Sequence, residues 1–482
     1  MNVNYFKIAR FLAVPTLLVA AIGVSAQASK PASAQASRQR VDLLITAKYV
    51  VTMDANLRVL EDGAIAVRGD SIIAIGTRAE LESKYASTRR ISAPQGLVMP
   101  GLINGHTHAA MDLFRGIKDD VTLQEWLTNY IFPAEARNVT EDFVTWGTRL
   151  ALLEMLRSGT TTYTDMYYFE DAVARETKAA GMRGVLGETF IDFPAPDNKT
   201  RDEALAYSEK FLKHWQGDPL IHAAVAPHSM YACSVDTLHA AAALGRRYHA
   251  PILIHVSETK KEVDDSRAAH GMSPVAWLDQ NGILGADVVA AHCVWVDASD
   301  IALLAKSQTG CVHNPSSNMM LASGVAPVPQ MLSGGLRLGL GTDSAAGSNN
   351  DLNMMEEMDL AAKLQKISRV DPQALGARQA VEMATIGGAR ALHMENEIGS
   401  LETGKKADLI VINLNEPNAV PVYDIYSQIV YALKASDIEE TVVGGRVVMQ
   451  NGRVLTLDES AIIAKARELG AQVRKSLATP PK

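Results

Sequence analysis

The sequence predicts an α/β protein with two parts, a (β/α)8 TIM barrel and a small sheet domain formed from both ends of the chain. Over residues 97–394, short apolar runs alternate with amphipathic helical patterns, which is typical of parallel strands joined by helices. Residues 41–96 and 395–459 contain short strands and turns instead, and strands from two chain ends can pair into one sheet. A doubly wound sheet is the alternative fold, but no Gly-x-Gly-x-x-Gly motif follows the first central run.

The first 40 residues have the features of an export signal. Two basic residues precede an apolar stretch over residues 11–24, and Ala26-Gln27-Ala28 matches a small-residue cleavage site. We therefore expect a signal peptide over residues 1–28, a flexible leader over 29–40, and a periplasmic or secreted protein without stable membrane insertion after cleavage. An uncleaved membrane anchor is the alternative.

The composition is that of an ordinary globular protein. The 482 residues are 47% hydrophobic and 21% charged, which is enough apolar material for a large core. A formal net charge of −8 and the lack of a basic run argue against a nucleic-acid partner. The three cysteines lie in or beside apolar runs, so we expect buried thiols rather than disulfides at Cys233, Cys293 and Cys311.

Apolar runs of the central segment are the expected barrel strands. In chain order they cover residues 97–104, 160–165, 185–190, 221–226, 252–256, 288–292, 311–313 and 336–343. Residues 141–158 illustrate the helices between them, because Thr140 supplies an N-cap, apolar residues recur on one face, and Gly159 ends the pattern. A TIM barrel carries its active site at the C-terminal ends of its strands, so polar residues there are functional candidates.

His106 and His108 end the first of these runs. One residue separates them, so on a strand both imidazoles point to the same face and form half of a metal site. His-x-His alone is a weak motif, and single polar residues at strand ends often have a structural role. Further candidates close or follow later strands: His228, His255, Glu258, His292 and Asp343.

Convergence of these residues on one barrel mouth predicts a metal site. His106, His108, His255 and Asp343 would supply three imidazoles and a carboxylate, and they leave a coordination position for water, as a catalytic metal requires. We therefore expect one divalent metal ion per chain. Zinc suits these ligands, and Fe2+ or Mn2+ is also compatible with them.

A series of short motifs runs through the chain in a fixed order. They are PGLINGHTH (100–108), LFRG (113–116), EWL (125–127), APHS (226–229), HVSE (255–258), AHCV (291–294), HNPSSN (313–318), GTD (341–343) and GSLETGKKAD (399–408). This series resembles the amidohydrolase superfamily, and within it the methylthioadenosine/S-adenosylhomocysteine deaminases and the related triazine hydrolases. The resemblance extends from residue 41 to about residue 459 and implies a TIM barrel beside a β-sandwich built from both chain ends.

The resemblance also implies residue roles. Glu258 matches the proton shuttle that protonates a ring nitrogen, and His292 matches the histidine that polarises the attacking water or the developing charge. Asp343 would be both a metal ligand and the acceptor of the proton from water.

Four further residues are candidates for substrate binding. Glu135 matches an acid that holds ribose hydroxyls, Trp126 is expected to line the pocket or stack on the base, and His228 matches a residue at the far side of the substrate. Trp126 is also compatible with a core position, and Glu135 with a solvated charge. Glu188 stands where a comparable deaminase carries an arginine, and an anion there would disfavour the carboxylate of S-adenosylhomocysteine.

These features predict an enzyme that deaminates an aminated N-heterocycle, with an adenine nucleoside such as methylthioadenosine or S-adenosylhomocysteine as the expected substrate. The alternatives are a hydrolase of guanine, a pterin or a chlorotriazine, and a non-catalytic ligand-binding barrel. The expected partner is a small heterocyclic molecule, and a homo-oligomer is compatible with the resemblance. Residues 460–482 predict an amphipathic helix followed by a short tail.

Overall fold

The computed structural model describes residues 12–18, 20, 23 and 38–478. Most of the predicted signal peptide (1–28) and leader (29–40) lies outside the described residues, as does the end of the predicted tail (479–482). Among the described helices, none combines the length and the apolar character needed to cross a membrane.

The first four strands lie at the start of the continuously described chain. They are β1 (Gln39–Val51), β2 (Val59–Arg68), β3 (Ser71–Thr77) and β4 (Tyr85–Pro100), with helix α1 (Arg78–Lys84) before β4. Strand β1 lies between β2, which is antiparallel to it, and β4, which is parallel to it. Leu43 and Ile45 pack in one apolar cluster and Leu44 in another, so both faces of this sheet are covered.

Eight parallel strands form the barrel, as the sequence predicts. They are β5 (Leu102–Thr107), β6 (Thr160–Tyr167), β7 (Arg183–Phe190), β8 (Ile221–Pro227), β9 (Ile252–Val256), β10 (Val288–His292), β11 (Gly310–His313) and β12 (Arg337–Leu340). Each strand lies beside its neighbour in sequence. The interior is filled by apolar side chains, among them Ile103, Met166, Val185, Ala224, Leu253, Val289 and Val312. All three cysteines are buried and unpaired, as predicted.

Helices alternate with the barrel strands and also follow them. They are α2 (Leu123–Glu125), α3 (Phe132–Asn138), α4 (Glu141–Arg157), α5 (Glu170–Ala180), α6 (Arg201–Trp215), α7 (Val235–Tyr248), α8 (Lys260–His270), α9 (Pro274–Gln280), α10 (Ala298–Ser307), α11 (Pro315–Met320), α12 (Val328–Ser333), α13 (Met354–Arg369), α14 (Ala377–Ala384), α15 (Ile386–Ala391), α16 (Ile425–Ser427) and α17 (Glu459–Ala478). A π-helix (Trp126–Ile131) joins α2 to α3. Helix α4 has the predicted limits, because Thr140 caps it and Gly159 follows with φ +83°.

The last strands return to the first sheet. Strand β13 (Leu409–Asn413) pairs antiparallel with β4, and β14 (Ile438–Val443), β15 (Arg446–Gln450) and β16 (Arg453–Val454) continue beyond it. The order is β16-β15-β14-β13-β4-β1-β2-β3, so this sheet contains strands from both chain ends, as predicted.

The junction between the sheet and the barrel lies at Gly101. Residues 97–100 pair with β13 in the sheet, and the first barrel strand begins at Leu102. The prediction of one strand over residues 97–104 is therefore wrong, because the apolar end of one strand runs directly into the apolar start of the next. A Cβ on Gly101 would lie 2.1 Å from Thr161 Oγ1, so this close turn requires glycine.

Hydrogen bonds close the barrel between β12 and β5. Asn104 Nδ2 donates to Thr342 Oγ1 (2.7 Å), and Thr342 N donates back to Asn104 Oδ1 (3.0 Å). Asp343 N donates to the carbonyl oxygen of His106 (3.0 Å). Gly341 allows this approach, since a Cβ there would lie 2.8 Å from His106 N. The seam formed by these contacts places Asp343 beside His106.

We predict that Gly341→Ala destabilises the seam. The added methyl must push the end of β12 away from His106, and overpacking of this kind costs about 1–3 kcal/mol. Thermal unfolding should therefore give a lower Tm than wild type. Gly470→Ala on α17 is the matched control, because nothing lies within 4 Å of its added methyl. Its Tm is expected to stay equal or rise slightly, and an unchanged Tm for Gly341→Ala would contradict the prediction.

Candidate active site

A pocket opens at the C-terminal ends of the barrel strands, where a TIM barrel carries its active site. Polar groups at the strand ends form one part of its wall, and the segment between β5 and α4 forms another. Most residues predicted for the site line this pocket: His108, Trp126, Glu135, His228, His255, Glu258, His292 and Asp343. His106 lies against them, with its ring centroid 4.9 Å from those of His108 and His255.

Two hydrogen bonds to the backbone orient His108 and His255. His108 Nδ1 lies 2.6 Å from the carbonyl oxygen of Met166, and His255 Nδ1 lies 2.8 Å from that of His228. A carbonyl oxygen only accepts, so Nδ1 carries the proton in each ring and Nε2 carries a lone pair. The two Nε2 atoms are 3.3 Å apart. Two lone pairs that face each other at this distance repel unless a cation binds both.

His106 and Asp343 lie on the two sides of the seam between β5 and β12, and their side chains lie close together. His106 Nε2 is buried and has no hydrogen-bond partner in the described part of the chain. Asp343 Oδ1 lies 3.5 Å from this atom and 3.4 Å from His108 Nε2, while Ser317 Oγ donates to Asp343 Oδ2 (2.7 Å). Burial lowers the pKa of His106 to about 4, so the ring is neutral near pH 7, which is the form that binds a metal.

The four predicted ligands therefore fit a divalent metal ion. Three buried imidazoles and one carboxylate converge, and the bonds from Nδ1 to carbonyl oxygens are the outer contacts that typically orient metal-binding histidines. His292 is also within reach, because its ligand atom and those of His106 and His255 lie within 4.8 Å of one another. The ligand atoms of His106, His108 and Asp343 meet the same limit.

Glu258 and His292 lie beside this cluster. Glu258 Oε2 is 3.9 Å from His292 Nε2, and both side chains are buried. Burial, together with the charge of Asp343, raises the pKa of Glu258 well above its usual range. His292 Nδ1 lies 3.2 Å from Asn318 Oδ1, a contact that orients the ring. A carboxyl group suited to carrying a proton thus lies next to the expected metal site.

Trp126 and Glu135 belong to the part of the pocket wall that the segment between β5 and α4 forms. Trp126 begins the π-helix, and its Nε1 donates to the carbonyl oxygen of Ala346 (2.9 Å). Glu135 lies on α3, is 5% exposed, and accepts a hydrogen bond from Tyr167 OH (2.8 Å). Burial raises the pKa of Glu135 to about 8, although the bond from Tyr167 opposes this shift. Glu135 is therefore a buried pocket residue and not a solvated charge.

Known proteins place the chain in a family. Residues 97–448 match the model of the amidohydrolase family. The chain belongs to the amidohydrolase family. It is 44% identical over 442 residues to 5-methylthioadenosine/S-adenosylhomocysteine deaminase 1 of Syntrophus aciditrophicus, which covers 92% of this chain and 100% of that protein. It is 45% identical over 435 residues to the 5-methylthioadenosine/S-adenosylhomocysteine deaminase of Syntrophobacter fumaroxidans, which covers 90% and 99%.

Solved structures share the fold of this amidohydrolase. An adenosine deaminase from Xanthomonas campestris with bound zinc has a TM-score of 0.89 and 37% identity, over 91% of this chain and 100% of that one. An atrazine chlorohydrolase from Arthrobacter aurescens with zinc has a TM-score of 0.83 and 25% identity, over 89% and 100%. The predicted superfamily and the prediction of an enzyme are confirmed, and the family is metal-dependent. A non-catalytic barrel is therefore not supported.

Glu188 does not line the pocket of the amidohydrolase. Adjacent residues of a strand face opposite sides, and on β7 it is Thr189 that lines the pocket. Glu188 accepts hydrogen bonds from Glu170 N (3.1 Å) and Asn198 Nδ2 (2.9 Å) instead. The structure therefore does not bring Glu188 to the pocket that holds the other predicted substrate-binding residues, and its contact with substrate stays a prediction.

The pocket also contains polar side chains that the sequence motifs do not reveal. They are Tyr167, Tyr168, Thr189 and Tyr231. None lies within a motif of the resemblance, and their positions at or after strand ends are the one signal that the sequence offers for them.

Two further acids support the site without lining it. Glu262 accepts hydrogen bonds from the backbone N–H groups of Ser257 and Glu258 (2.9 and 2.7 Å), and so holds the backbone that carries Glu258. Asp165 accepts hydrogen bonds from Thr107 Oγ1 and Ala109 N (both 2.6 Å), on either side of His108 in sequence. Asp165 ends a predicted strand, which was a usable signal, whereas the contacts of Glu262 follow from the loop geometry.

We predict that His255→Ala removes the bound metal and the activity together. Loss of one of the predicted imidazole ligands weakens metal binding, and activity should fall by at least about 100-fold, the upper range for loss of an outer contact. Metal per chain, measured by elemental analysis, should fall with it. His239→Ala is the control, because this exposed histidine bonds to the carbonyl oxygen of Asn281 (2.9 Å) away from the pocket. Full turnover by metal-free His255→Ala would contradict the model.

We predict that Glu188→Gln flattens the pH dependence of stability. Burial raises the pKa of Glu188 well above its usual range, so the folded protein keeps a proton that the unfolded chain has lost. Stability is full below the ordinary glutamate pKa and falls as the pH rises towards the folded value, by about 1.4 kcal/mol per pH unit for one such proton.

The measurement is Tm between about pH 5 and about pH 9, where Glu188→Gln should lose less stability than wild type because glutamine does not titrate. Glu61→Gln, at an exposed position of β2, is the control and should keep the wild-type slope. A wild-type slope for Glu188→Gln would mean that this group holds no proton in the folded protein.

Proposed function

We propose that this amidohydrolase deaminates an adenine nucleoside by hydrolysis, with methylthioadenosine or S-adenosylhomocysteine as the leading candidates. The observation that carries the proposal is the arrangement of the pocket. The four predicted metal ligands and Glu258 lie at the ends of the barrel strands, and Trp126 and Glu135 lie on the segment between β5 and α4 that lines the same pocket. The strand ends are suited to the reacting ring and the connecting segment to an attached sugar. The relatives named as 5-methylthioadenosine/S-adenosylhomocysteine deaminases support the same substrate class.

The reaction replaces an amino group on an aromatic carbon with oxygen from water and releases ammonia. A divalent metal held by His106, His108, His255 and Asp343 would lower the pKa of water, so that hydroxide is available near neutral pH. Asp343 accepts the proton that the attacking water loses. Glu258 delivers a proton to the neighbouring ring nitrogen, and His292 stabilises the charge that develops as the carbon–oxygen bond forms. The proton taken up by Asp343 then passes to the amino group, the carbon–nitrogen bond breaks and ammonia leaves, and the new hydroxyl group returns a proton to Glu258 as it becomes a carbonyl.

Glu135 and Trp126 would hold the sugar end of the substrate. A carboxyl group accepts hydrogen bonds from neighbouring hydroxyls most strongly in its ionised form, and because burial raises the pKa of Glu135 to about 8, this form dominates only above that pH. Trp126 offers an apolar face, and its anchored Nε1 keeps the ring in place. His228 also lines the pocket, where its ring lies beside that of His255 (centroids 4.5 Å apart).

A second candidate activity is hydrolysis of a smaller heterocycle, such as a chlorotriazine, guanine or a pterin. The similarity to the atrazine chlorohydrolase favours this alternative. Glu135 separates the two candidates, because a small ring has no sugar hydroxyls for it to bind.

We further propose that each chain binds one zinc ion and that the protein is exported. Zinc is supported by the donor set and by the zinc in the related deaminase. Export to the periplasm or the medium is supported by the charge pattern and cleavage site of residues 1–28 alone.

The test is ammonia release by the purified, metal-quantified protein. Substrates are methylthioadenosine, S-adenosylhomocysteine, adenosine, guanine, a pterin and a chlorinated triazine, with chloride release measured for the last. We expect turnover of the adenine nucleosides. Glu135→Gln should raise KM for these nucleosides and leave a small ring substrate nearly unaffected. Turnover of a small ring with no activity on any nucleoside, at full metal content, would overturn the proposed substrate class.

A further inference from the structure

We propose that Tyr167 is a positioning residue that gives the enzyme its preference for ribosides, because it holds Glu135 in the orientation that receives the sugar hydroxyls. The inference rests on the proposed function, since it takes Glu135 as the residue that contacts the sugar.

The contact between the two side chains is short and buried. Tyr167 OH donates to Glu135 Oε1 at 2.8 Å, and the residues are 3% and 5% exposed. Within residues 38–478, no other hydrogen bond to the Glu135 side chain is formed. One carboxylate oxygen is therefore occupied by Tyr167, and the other is free for a ligand in the pocket that both residues line.

The two residues lie on parts of the chain that are held in place to different degrees. Glu135 lies on α3, in the segment that joins β5 to α4 and passes over the pocket. Tyr167 is the last residue of β6, a strand hydrogen-bonded on both sides within the barrel. The bond thus ties an acid on a connecting segment to the barrel framework, which holds it in one place.

The same end of β6 also contacts one of the four predicted metal ligands, His108. Met166, the neighbour of Tyr167, accepts the bond from His108 Nδ1 through its carbonyl oxygen. Consecutive residues of β6 therefore fix His108 on one side and Glu135 on the other. This arrangement sets the distance between the reacting ring and the sugar, so a riboside is held with its ring at the cluster only while Tyr167 holds Glu135.

The hydroxyl also favours the form of Glu135 that binds hydroxyls. Burial raises the pKa of Glu135, and the hydrogen bond from Tyr167 works against that shift. Without the bond, the carboxyl group is more readily protonated and is a weaker acceptor. Tyr167→Phe should therefore weaken recognition of the sugar while keeping the ring that packs against Tyr168 (centroids 4.8 Å apart).

The experiment compares adenosine with 2′,3′-dideoxyadenosine. The readout is the ratio of kcat/KM for the two nucleosides, measured on metal-loaded wild type, Tyr167→Phe, Glu135→Gln and the double variant. Wild type should prefer adenosine. Assayed above about pH 8, where Glu135 is ionised, Tyr167→Phe should lower the ratio by about 10-fold, the size expected for loss of a hydrogen bond to a charged group. In the Glu135→Gln background the same change should lower it no further, because the residues act as one unit.

Tyr163→Phe is the matched control. Its hydroxyl is also buried and hydrogen-bonded, to Thr177 Oγ1 at 2.6 Å, but it does not line the pocket. Its ratio should equal that of wild type. A wild-type ratio for Tyr167→Phe, or an equal loss in the Glu135→Gln background, would overturn the role of Tyr167 alone. Wild-type protein inactive on both nucleosides would overturn the proposed function as well, so the two failures are distinguishable.

Discussion

Asp343 and His106 come from opposite ends of the barrel segment, and the hydrogen bonds between β12 and β5 bring them together. The last strand of a barrel must meet the first, so closure of the sheet and assembly of the carboxylate with the histidines are one event. Asn104 and Thr342 make the closing contacts with side chains rather than through a continuous backbone ladder. This contact therefore fixes the relative position of two predicted metal ligands, His106 and Asp343.

Burial then determines the chemical state of the assembled groups. It keeps the ring of His106 neutral, and it raises the pKa of Glu258. Backbone carbonyl oxygens direct the lone pairs of His108 and His255 towards each other. An arrangement of this kind is unfavourable by itself and favourable around a cation, so the protein carries an energetic reason to bind metal.

The order of strands, the two-part architecture and the residues at the strand ends could be predicted because each depends on a local pattern. The side of a barrel strand that a residue occupies could not. Every residue of β7 is buried, so polarity does not alternate along it, and the sequence does not show that Thr189 faces the pocket while Glu188 faces away. The start of the barrel at Leu102 was missed for a related reason, since apolar residues continue across Gly101 without a break.

Contacts between distant segments were equally hidden. The bond between Tyr167 and Glu135 depends on how α3 lies over the barrel. The sequence at either residue does not predict the other residue as its partner. Glu135 was predicted from the resemblance, whereas its partner Tyr167 could be identified only from the structure.

The π-helix that begins at Trp126 limits how the segment between β5 and α4 can change in length while it still lines the pocket. A π-helical turn arises when one residue is added to an α-helix, and each residue advances a helix by about 100°. Trp126 is the first residue of the π-helix, and Glu135 follows that segment on α3. Deleting one residue between them would therefore rotate one side chain out of the pocket, whereas a substitution would leave both facing it. The number of residues between these two positions therefore matters more for the shape of the pocket than the identity of those residues.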